Sequence, residues 1–275
     1  MAKTIGILGG DARMRLLSQL MSNDGYEVCT WELAGGANPA ALCDAVKAEV
    51  IILPVPLAKD DKLNGTDISL AELWPLLRPA RKIFAGAVRL SDREEAERYG
   101  LHITDYFSRE ELVVRNAIPT AEGAVETAMK HLPVTLHSAP CLVVGFGRIG
   151  KLLSHDLRAL GAKVTVSARK LSDLAWIDAF GYCAEHTNRL AGKLSGFRVI
   201  FNTVPQRVFD EALLRELSPD CLLIELASAS GFDLAAVEKL RLNYIKAGGL
   251  PGKVAPETAA LAMKTTLCKL LEEEE

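Results

Sequence analysis

The sequence predicts an α/β protein of two doubly wound parallel-sheet domains, the second of the Rossmann pattern. Three observations carry this expectation. Short, near-continuous apolar runs alternate with helical stretches along the 275 residues, as expected of parallel strands covered on both faces. Gly145-Phe146-Gly147-Arg148-Ile149-Gly150 follows the apolar run Leu142, Val143, Val144 and opens a stretch with Ile149, Leu152, Leu153, Leu157 and Leu160 at helical spacing. The length suits about two domains.

The elements follow in order. Thr4 to Leu8 reads as a strand, and Met14, Leu17, Leu20 and Met21 mark one face of a helix that Gly25 ends. Tyr26 to Trp31 is a second strand and Pro39 to Lys47 a helix. Val50 to Val55 is a continuous apolar strand, Leu70 to Leu77 a helix, Lys82 to Val88 a strand, Glu94 to Tyr99 a short helix and Leu101 to Tyr106 a strand. Asn116-Ala-Ile-Pro-Thr120 reads as a domain boundary. Pro119 suits the start of a helix, which runs from Thr120 to His131 and bridges the domains. The first domain is then residues 1–118 and the second 119–255.

In the second domain the fingerprint helix closes at Gly161, and the strand carrying Val164 and Val166 follows. Next come a helix near Leu171 to Phe180, a strand at Arg198 to Thr203, a helix at Asp210 to Leu217 and a strand at Cys221 to Leu226. Asp233 to Leu240 is a helix, Asn243 to Ala247 the last strand and Gly248 to Gly252 a turn. The closing helix, Pro256 to Leu271 within residues 256–275, is expected to return to the first domain. The four terminal glutamates read as a solvated tail.

The fingerprint has a physical logic. Its three glycines allow a tight turn, close approach of backbone to a pyrophosphate, and close packing of helix on strand, while the helix N-terminus offers free N–H groups to the phosphates. NAD-binding units of this kind end their second strand in an acid that bonds the ribose 2′-hydroxyl. Here the strand ends Val166-Ser167-Ala168-Arg169-Lys170. No acid is present, and Ser167, Arg169 and Lys170 can donate to a 2′-phosphate, so the expected cofactor is NADP.

Ligands of open α/β sheets lie outside the carboxyl ends of the strands. Those ends carry Asn202-Thr203-Val204-Pro205, Leu226-Ala227-Ser228 and Gly248 to Gly252 in the second domain. In the first they carry Gly9-Gly10-Asp11, Pro54-Val55-Pro56 and Gly86. Both sets are expected to face one cleft. Thr203, Val204 and Pro205 suit a nicotinamide wall, with Asn202 and Ala227 beside them.

Composition narrows the function classes. Lysine plus arginine number 32 and aspartate plus glutamate 35, a net charge of −3, which gives no reason to expect nucleic acid or an anionic membrane. No apolar run approaches the roughly 20 residues that span a bilayer, and the start does not read as a signal peptide. The six cysteines form no C-x-x-C pair and read as free thiols of a reducing cytoplasm. The five histidines are scattered, read as structural or surface residues, and suggest no metal site.

Several stretches together resemble a known family. Gly9-Gly-Asp-Ala-Arg13, Asn116-Ala-Ile-Pro-Thr-Ala-Glu-Gly123, Gly145 to Gly150, Asn202-Thr-Val-Pro205 and Gly249-Leu-Pro-Gly-Lys-Val-Ala-Pro256 occur in the order found in the family of dipicolinate synthase A subunits. The resemblance implies oxidation of dihydrodipicolinate, an intermediate of the diaminopimelate–lysine route, to dipicolinate. NADP would accept the hydride, a flavoprotein-like B subunit of dipicolinate synthase would be the partner, and the enzyme would be an oligomer in the mother cell of a sporulating bacterium. Aromatising a dihydropyridine is downhill, so the protein mainly has to position ring and nicotinamide. A proton must also leave. Glu122, Asp11 and Glu225 are candidate bases, though water could serve. A dicarboxylate needs cations or N–H donors: Arg13, beside a glycine turn and a helix N-terminus, is the first candidate, with Thr120, Ser228 and Lys253. Two alternatives stay open: a shikimate- or methylenetetrahydrofolate-type NADP dehydrogenase, and a non-catalytic NADP-binding scaffold subunit.

Overall fold

The computed structural model describes residues 4–33 and 41–273. The chain gathers into two compact units, Met1–Asn116 with Ala255–Glu275, and Ala117–Val254.

The first unit begins with β1 (Thr4–Leu8), α1 (Ala12–Asn23), β2 (Glu27–Trp31), α2 (Leu42–Ala45) and β3 (Val50–Ile52). A two-stranded antiparallel hairpin, β4 (Ala58–Lys59) and β5 (Lys62–Leu63), follows. Then come α3 (Leu70–Leu73) with a 3-10 turn at Trp74–Leu77, β6 (Lys82–Ala85), α4 (Leu90–Arg98) and β7 (Ile103–Asp105). The sheet order is β2-β1-β3-β6-β7, all parallel, so the winding direction reverses between β1 and β3. Local chemistry starts the helices. Asp11 caps α1 by accepting from the Arg13 backbone N–H at 3.0 Å, and Ser69 with Glu72 forms a capping box on α3.

The helix α5 (Glu110–His131) leads from the first unit into the second. Acids in its first turn and Lys130 and His131 in its last complement the helix dipole. The second unit continues with β8 (Pro140–Val144), α6 (Arg148–Ala159), β9 (Lys163–Ala168), α7 (Leu171–Ala179), β10 (Cys183–His186) and β11 (Val199–Asn202). It ends with α8 (Glu211–Leu214), β12 (Leu222–Glu225), α9 (Leu234–Lys239), β13 (Asn243–Lys246) and α10 (Leu250–Val254). The order is β10-β9-β8-β11-β12-β13, again all parallel. Both faces of β8 are buried: Cys141 and Val143 pack with α6 and α7, Leu142 and Val144 with α8 and α9. That double burial is why the strand reads as an unbroken apolar run.

The closing helix α11 (Pro256–Glu273) belongs to the first unit and packs along α1. Ala262, Met263, Leu267 and Leu270 join Ile5, Ile7, Met14 and Leu17 in one core layer. The other sheet face holds Leu8, Ile51, Leu53, Leu73 and Trp74. Lys264 pairs with Asp24 at 2.6 Å and Arg109 with Glu273 at 2.7 Å.

Some expectations need correction. The helix expected from Thr120 begins at Glu110, so Pro119 lies inside it and not at its start. The helix tolerates the lost backbone donor while Leu112, Ala117, Ala121, Ala124 and Ala128 bury one face. The strand expected over Val50 to Val55 stops at Ile52, and the Val55–Pro56 peptide is cis. The turn expected at Gly248 to Gly252 ends in the short helix α10, which lies so close to α5 that a Cβ on Gly123 would stand 2.9 Å from Val254 Cγ2. Of the helix expected over Pro39 to Lys47, Pro39 and Ala40 lie outside the described residues and the helical part is Leu42–Ala45. Glu274 and Glu275 of the expected tail also lie outside them, whereas Glu272 and Glu273 belong to α11.

Candidate functional site

The winding of the second unit reverses between β8 and β11, where an open α/β sheet leaves a crevice at its carboxyl edge. The loop after β8 is the glycine fingerprint. The Gly145 N–H donates to Ser167 O at 2.8 Å and the Thr203 N–H to Val144 O at 3.0 Å, which ties this edge to the strands on either side. Gly145 has φ +100°, and a Cβ there would stand 2.4 Å from Thr203 Oγ1. A Cβ on Gly150 would stand 2.1 Å from Gly145 O, so helix and turn touch only because that position has no side chain. Gly147 differs: a Cβ there meets nothing within 4 Å. It is the N-cap of α6 and its position carries no side-chain cap. Helix N–H groups, a positive dipole end and free space coincide there, and a pyrophosphate fits that combination. Arg148 is exposed and Ile149 half-buried at the same edge.

The corresponding place in the first unit is already filled. Asp11 sits at the N-terminus of α1, and Gly10 N–H donates to Asn64 O, just after β5, at 2.6 Å. The chain's own carboxylate takes the position that a phosphate would take. Asp11 also accepts from Arg13 Nε at 2.9 Å and Nη2 at 2.8 Å. Burial pushes its carboxyl up, but the Arg13 hydrogen bonds and charge outweigh that and hold it below its usual range. Asp11 is therefore a structural anion with little basicity, contrary to its expected role as a base. Arg13 is only 7 % exposed, and its Nη2 also donates to Val55 O at 2.7 Å. The pair fixes the loop before the cis proline, so Arg13 is less available to a substrate than expected.

At the end of β9, Arg169 and Lys170 are exposed, and Arg169 Nη1 donates to Gln206 Oε1 at 2.9 Å. That contact joins the loops after β9 and β11. Ser167 needs correction: it lies inside β9, fully buried, with its hydroxyl 3.4 Å from Thr187 Oγ1, and so does not face a surface phosphate. Phe146 also differs from expectation. The residue is 6 % exposed and its ring packs 6.2 Å from Phe180, so only its backbone belongs to the turn.

Beyond β11 and β12 lies a buried polar network. Glu225, 1 % exposed, accepts from Asn202 Nδ2 at 2.8 Å, Ala227 N at 2.9 Å and Gly231 N at 2.7 Å. Asn202 is fully buried, and its Nδ2 also donates to Val204 O at 2.8 Å. A carboxylate with three donors holds two loops in place, which excludes Glu225 as a free base and makes Asn202 and Ala227 positioning groups. Thr203 and Val204 are half-buried and Pro205 exposed, with Thr203 Oγ1 donating to Val144 O at 2.8 Å.

The remaining candidates are dispersed within the second unit. Lys253, exposed on α10, donates to Gly248 O at 2.8 Å, and Ser228 is exposed after β12. Thr120 is buried in α5. Glu122 is exposed on α5 and acts on Asp156 of α6. Burial pushes the Asp156 carboxyl up, the His155 charge partly offsets this, and the Glu122 charge adds to it. Asp156 lies well along α6 from the glycine turn, so Glu122, a candidate base, stands beside the body of α6. Gln206 was missed, since a glutamine after a proline carries no motif. Among the described residues no group of His, Cys, Asp and Glu is placed to hold a metal, and no helix is long and apolar enough to cross a membrane.

The chain is similar to known proteins along nearly its whole length. Residues 4–107 match the family described as the N-terminal domain of the dipicolinate synthase A subunit. The chain is 31 % identical over 286 residues to the dipicolinate synthase A subunit of Bacillus subtilis (strain 168), covering 98 % of this chain and 96 % of that protein. The crystal structure of the dipicolinate synthase A subunit from Bacillus halodurans is similar with a TM-score of 0.89 and 27 % identity, covering 98 % of this chain and 97 % of that one. The apo-structure of D-lactate dehydrogenase from Escherichia coli shares the fold alone, with a TM-score of 0.64 and 14 % identity over 99 % and 98 % of the two chains.

Proposed function

Because the chain belongs to the family of dipicolinate synthase A subunits, we propose that it oxidises dihydrodipicolinate to dipicolinate with NADP as hydride acceptor. One observation carries the cofactor half of this reading: the uncapped, open N-terminus of α6 at Gly147, with exposed Arg169 and no acid at the end of β9. Gly145, Gly147, Arg148, Ile149 and Gly150 would hold the pyrophosphate, Arg169 and Lys170 the 2′-phosphate, and Thr203, Val204 and Pro205 the nicotinamide. NADP, when bound, supplies the hydride acceptor.

The chain's own residues bind and orient. Substrate carboxylates are assigned to Lys253 and Ser228. Arg13 is committed to Asp11 and Val55, and Thr120 is buried, so neither is assigned a carboxylate. Dihydrodipicolinate loses one hydride and one proton, and aromatisation supplies the driving force. Asp11 is held as an anion by Arg13, and Glu225 is spent on three donors. Neither is free to take the proton, which is assigned to water or to the exposed Glu122. The flavoprotein-like B subunit is the proposed partner, and the mother cell of a spore former the proposed setting.

The test mixes the chain with NADP⁺ and freshly made dihydrodipicolinate, with and without the B subunit, and follows NADPH absorbance. NADPH in either mixture supports the reading. Its absence in both, with NADP bound, would favour a non-catalytic cofactor-binding role, the second reading, which the locked state of Asp11 and Glu225 favours.

A further inference from the structure

Away from the carboxyl edge, the second unit holds a hollow of ≈ 540 Å³ between α6 and α7. Its lining is Phe146, Lys151, His155, Arg158, Phe180 and Tyr182, with Ala159. The size is that of a small-molecule site. Two chemistries are interleaved in it. Lys151, His155 and Arg158 recur at i, i+4 and i+7, so they share one face of α6, with Lys151 and Arg158 as its cations. Phe146, Phe180 and Tyr182 supply ring faces. Lys151 Nζ stands 5.4 Å above the centroid of Phe146, and the Arg158 guanidinium 5.5 Å above that of Tyr182. Arg158 also donates to the Phe180 carbonyl.

A surface helix usually satisfies such cations with acids at i±4. The neighbouring acid on this helix, Asp156, lies off that face and faces the Glu122 charge. Among the described residues neither Lys151 nor Arg158 is placed in an ion pair with a carboxylate. The floor is equally specific. Phe146 belongs to the fingerprint turn yet turns its ring into this hollow, 6.2 Å from Phe180, and Trp176 packs on Phe180 at 5.5 Å from outside. Cations above and rings below match an anion whose charge is carried on a flat apolar ring. A carboxylate can draw Lys151 off Phe146 and Arg158 off Tyr182, which frees ring faces for the ligand's own ring.

We infer that this hollow is a binding site for a planar aromatic carboxylate, separate from the cofactor edge. The inference rests on the proposed function for one clause only: under that reading, pyridine-2,6-dicarboxylate, the reaction product, is itself such an anion. The site then senses product from behind the fingerprint turn, since Phe146 belongs to both.

The test is a direct titration of the full chain with pyridine-2,6-dicarboxylate, read by tryptophan emission and by calorimetry, in the presence of saturating NADP. Benzene-1,3-dicarboxylate and glutarate are the comparison ligands. The expected result is saturable quenching by both aromatic acids and at least tenfold weaker binding of glutarate. The double variant Lys151→Ala, Arg158→Ala should weaken the aromatic acids at least tenfold while keeping NADP affinity, which shows that it is folded. Trp176→Phe should abolish the quench but keep the calorimetric signal. Binding undiminished in the double variant overturns the inference. So does equal binding of glutarate, or an aromatic signal lost once substrate-side Lys253→Ala is introduced. Binding does not need turnover. Product bound here without NADPH formation would refute the reaction and keep the site, whereas turnover without this binding would do the reverse.

Discussion

Arg169→Ala separates the two nicotinamide cofactors. Arg169 is exposed and its Nη1 is steered by Gln206 Oε1 at 2.9 Å, toward the end of a strand that carries no acid. A hydrogen bond to a charged partner contributes about 1.5–3 kcal/mol, which corresponds to roughly 10- to 150-fold in affinity. Solvent screening of an exposed cation favours the lower end, so the expected loss is about 10-fold for NADP, with NAD little changed. The assay is the ratio of dissociation constants for NADPH and NADH, measured by cofactor fluorescence at fixed ionic strength. The ratio should fall toward one, and Gln206→Ala should move it less, in the same direction. A ratio unchanged by Arg169→Ala would overturn the assignment of Arg169 to the 2′-phosphate, and Lys170→Ala then tests the neighbouring exposed cation.

The fingerprint glycines give a paired prediction: Gly150→Ala places a methyl 2.1 Å from Gly145 O and should cost about 1–3 kcal/mol, seen as a lower melting temperature, while Gly147→Ala should leave stability almost unaltered and weaken cofactor binding at least about 10-fold. Glu225→Ala leaves Asn202 Nδ2, Ala227 N and Gly231 N without their acceptor, and denaturant unfolding should show a loss of about 3 kcal/mol or more. Asp11 has a folded-state pKa below its ordinary 3.8, so its contribution is fully present above that value and is lost as pH falls through the lower folded value. The stability gap between wild type and Asp11→Asn should therefore be widest near neutral pH and close in acid; a gap independent of pH would contradict the Arg13–Asp11 assignment.

What was legible in the sequence was what burial writes into it. β8, β11 and β12 pack on both faces, so Leu142, Ile200 and Leu223 and their neighbours read as apolar runs. The fingerprint was legible because steric need, at Gly145 and Gly150, permits no other residue. β10 was missed because it is an edge strand of Cys-Ala-Glu-His with no fully buried residue. The first turns of α5 were hidden by Pro119, which local reasoning places at a helix start. α10 was hidden by Pro251 and Gly252, which read as a turn until α5 packs against them. At the candidate site the residue types were readable but not their partners. Nothing in the sequence says that Asp11 turns to Arg13, that Glu225 collects three donors or that Ser167 faces inward, because each depends on which loop the fold brings alongside.

The proposed reaction is hydride transfer from dihydrodipicolinate to NADP on this chain. Its most direct test uses dihydrodipicolinate deuterated at its saturated ring carbons, with NADP⁺ and the chain together with the B subunit, and weighs the reduced cofactor by mass spectrometry. The expected product is NADPH carrying one deuterium, formed in equal amount to dipicolinate. Dipicolinate appearing with the cofactor still oxidised, or reduced without deuterium, would contradict hydride transfer on this chain.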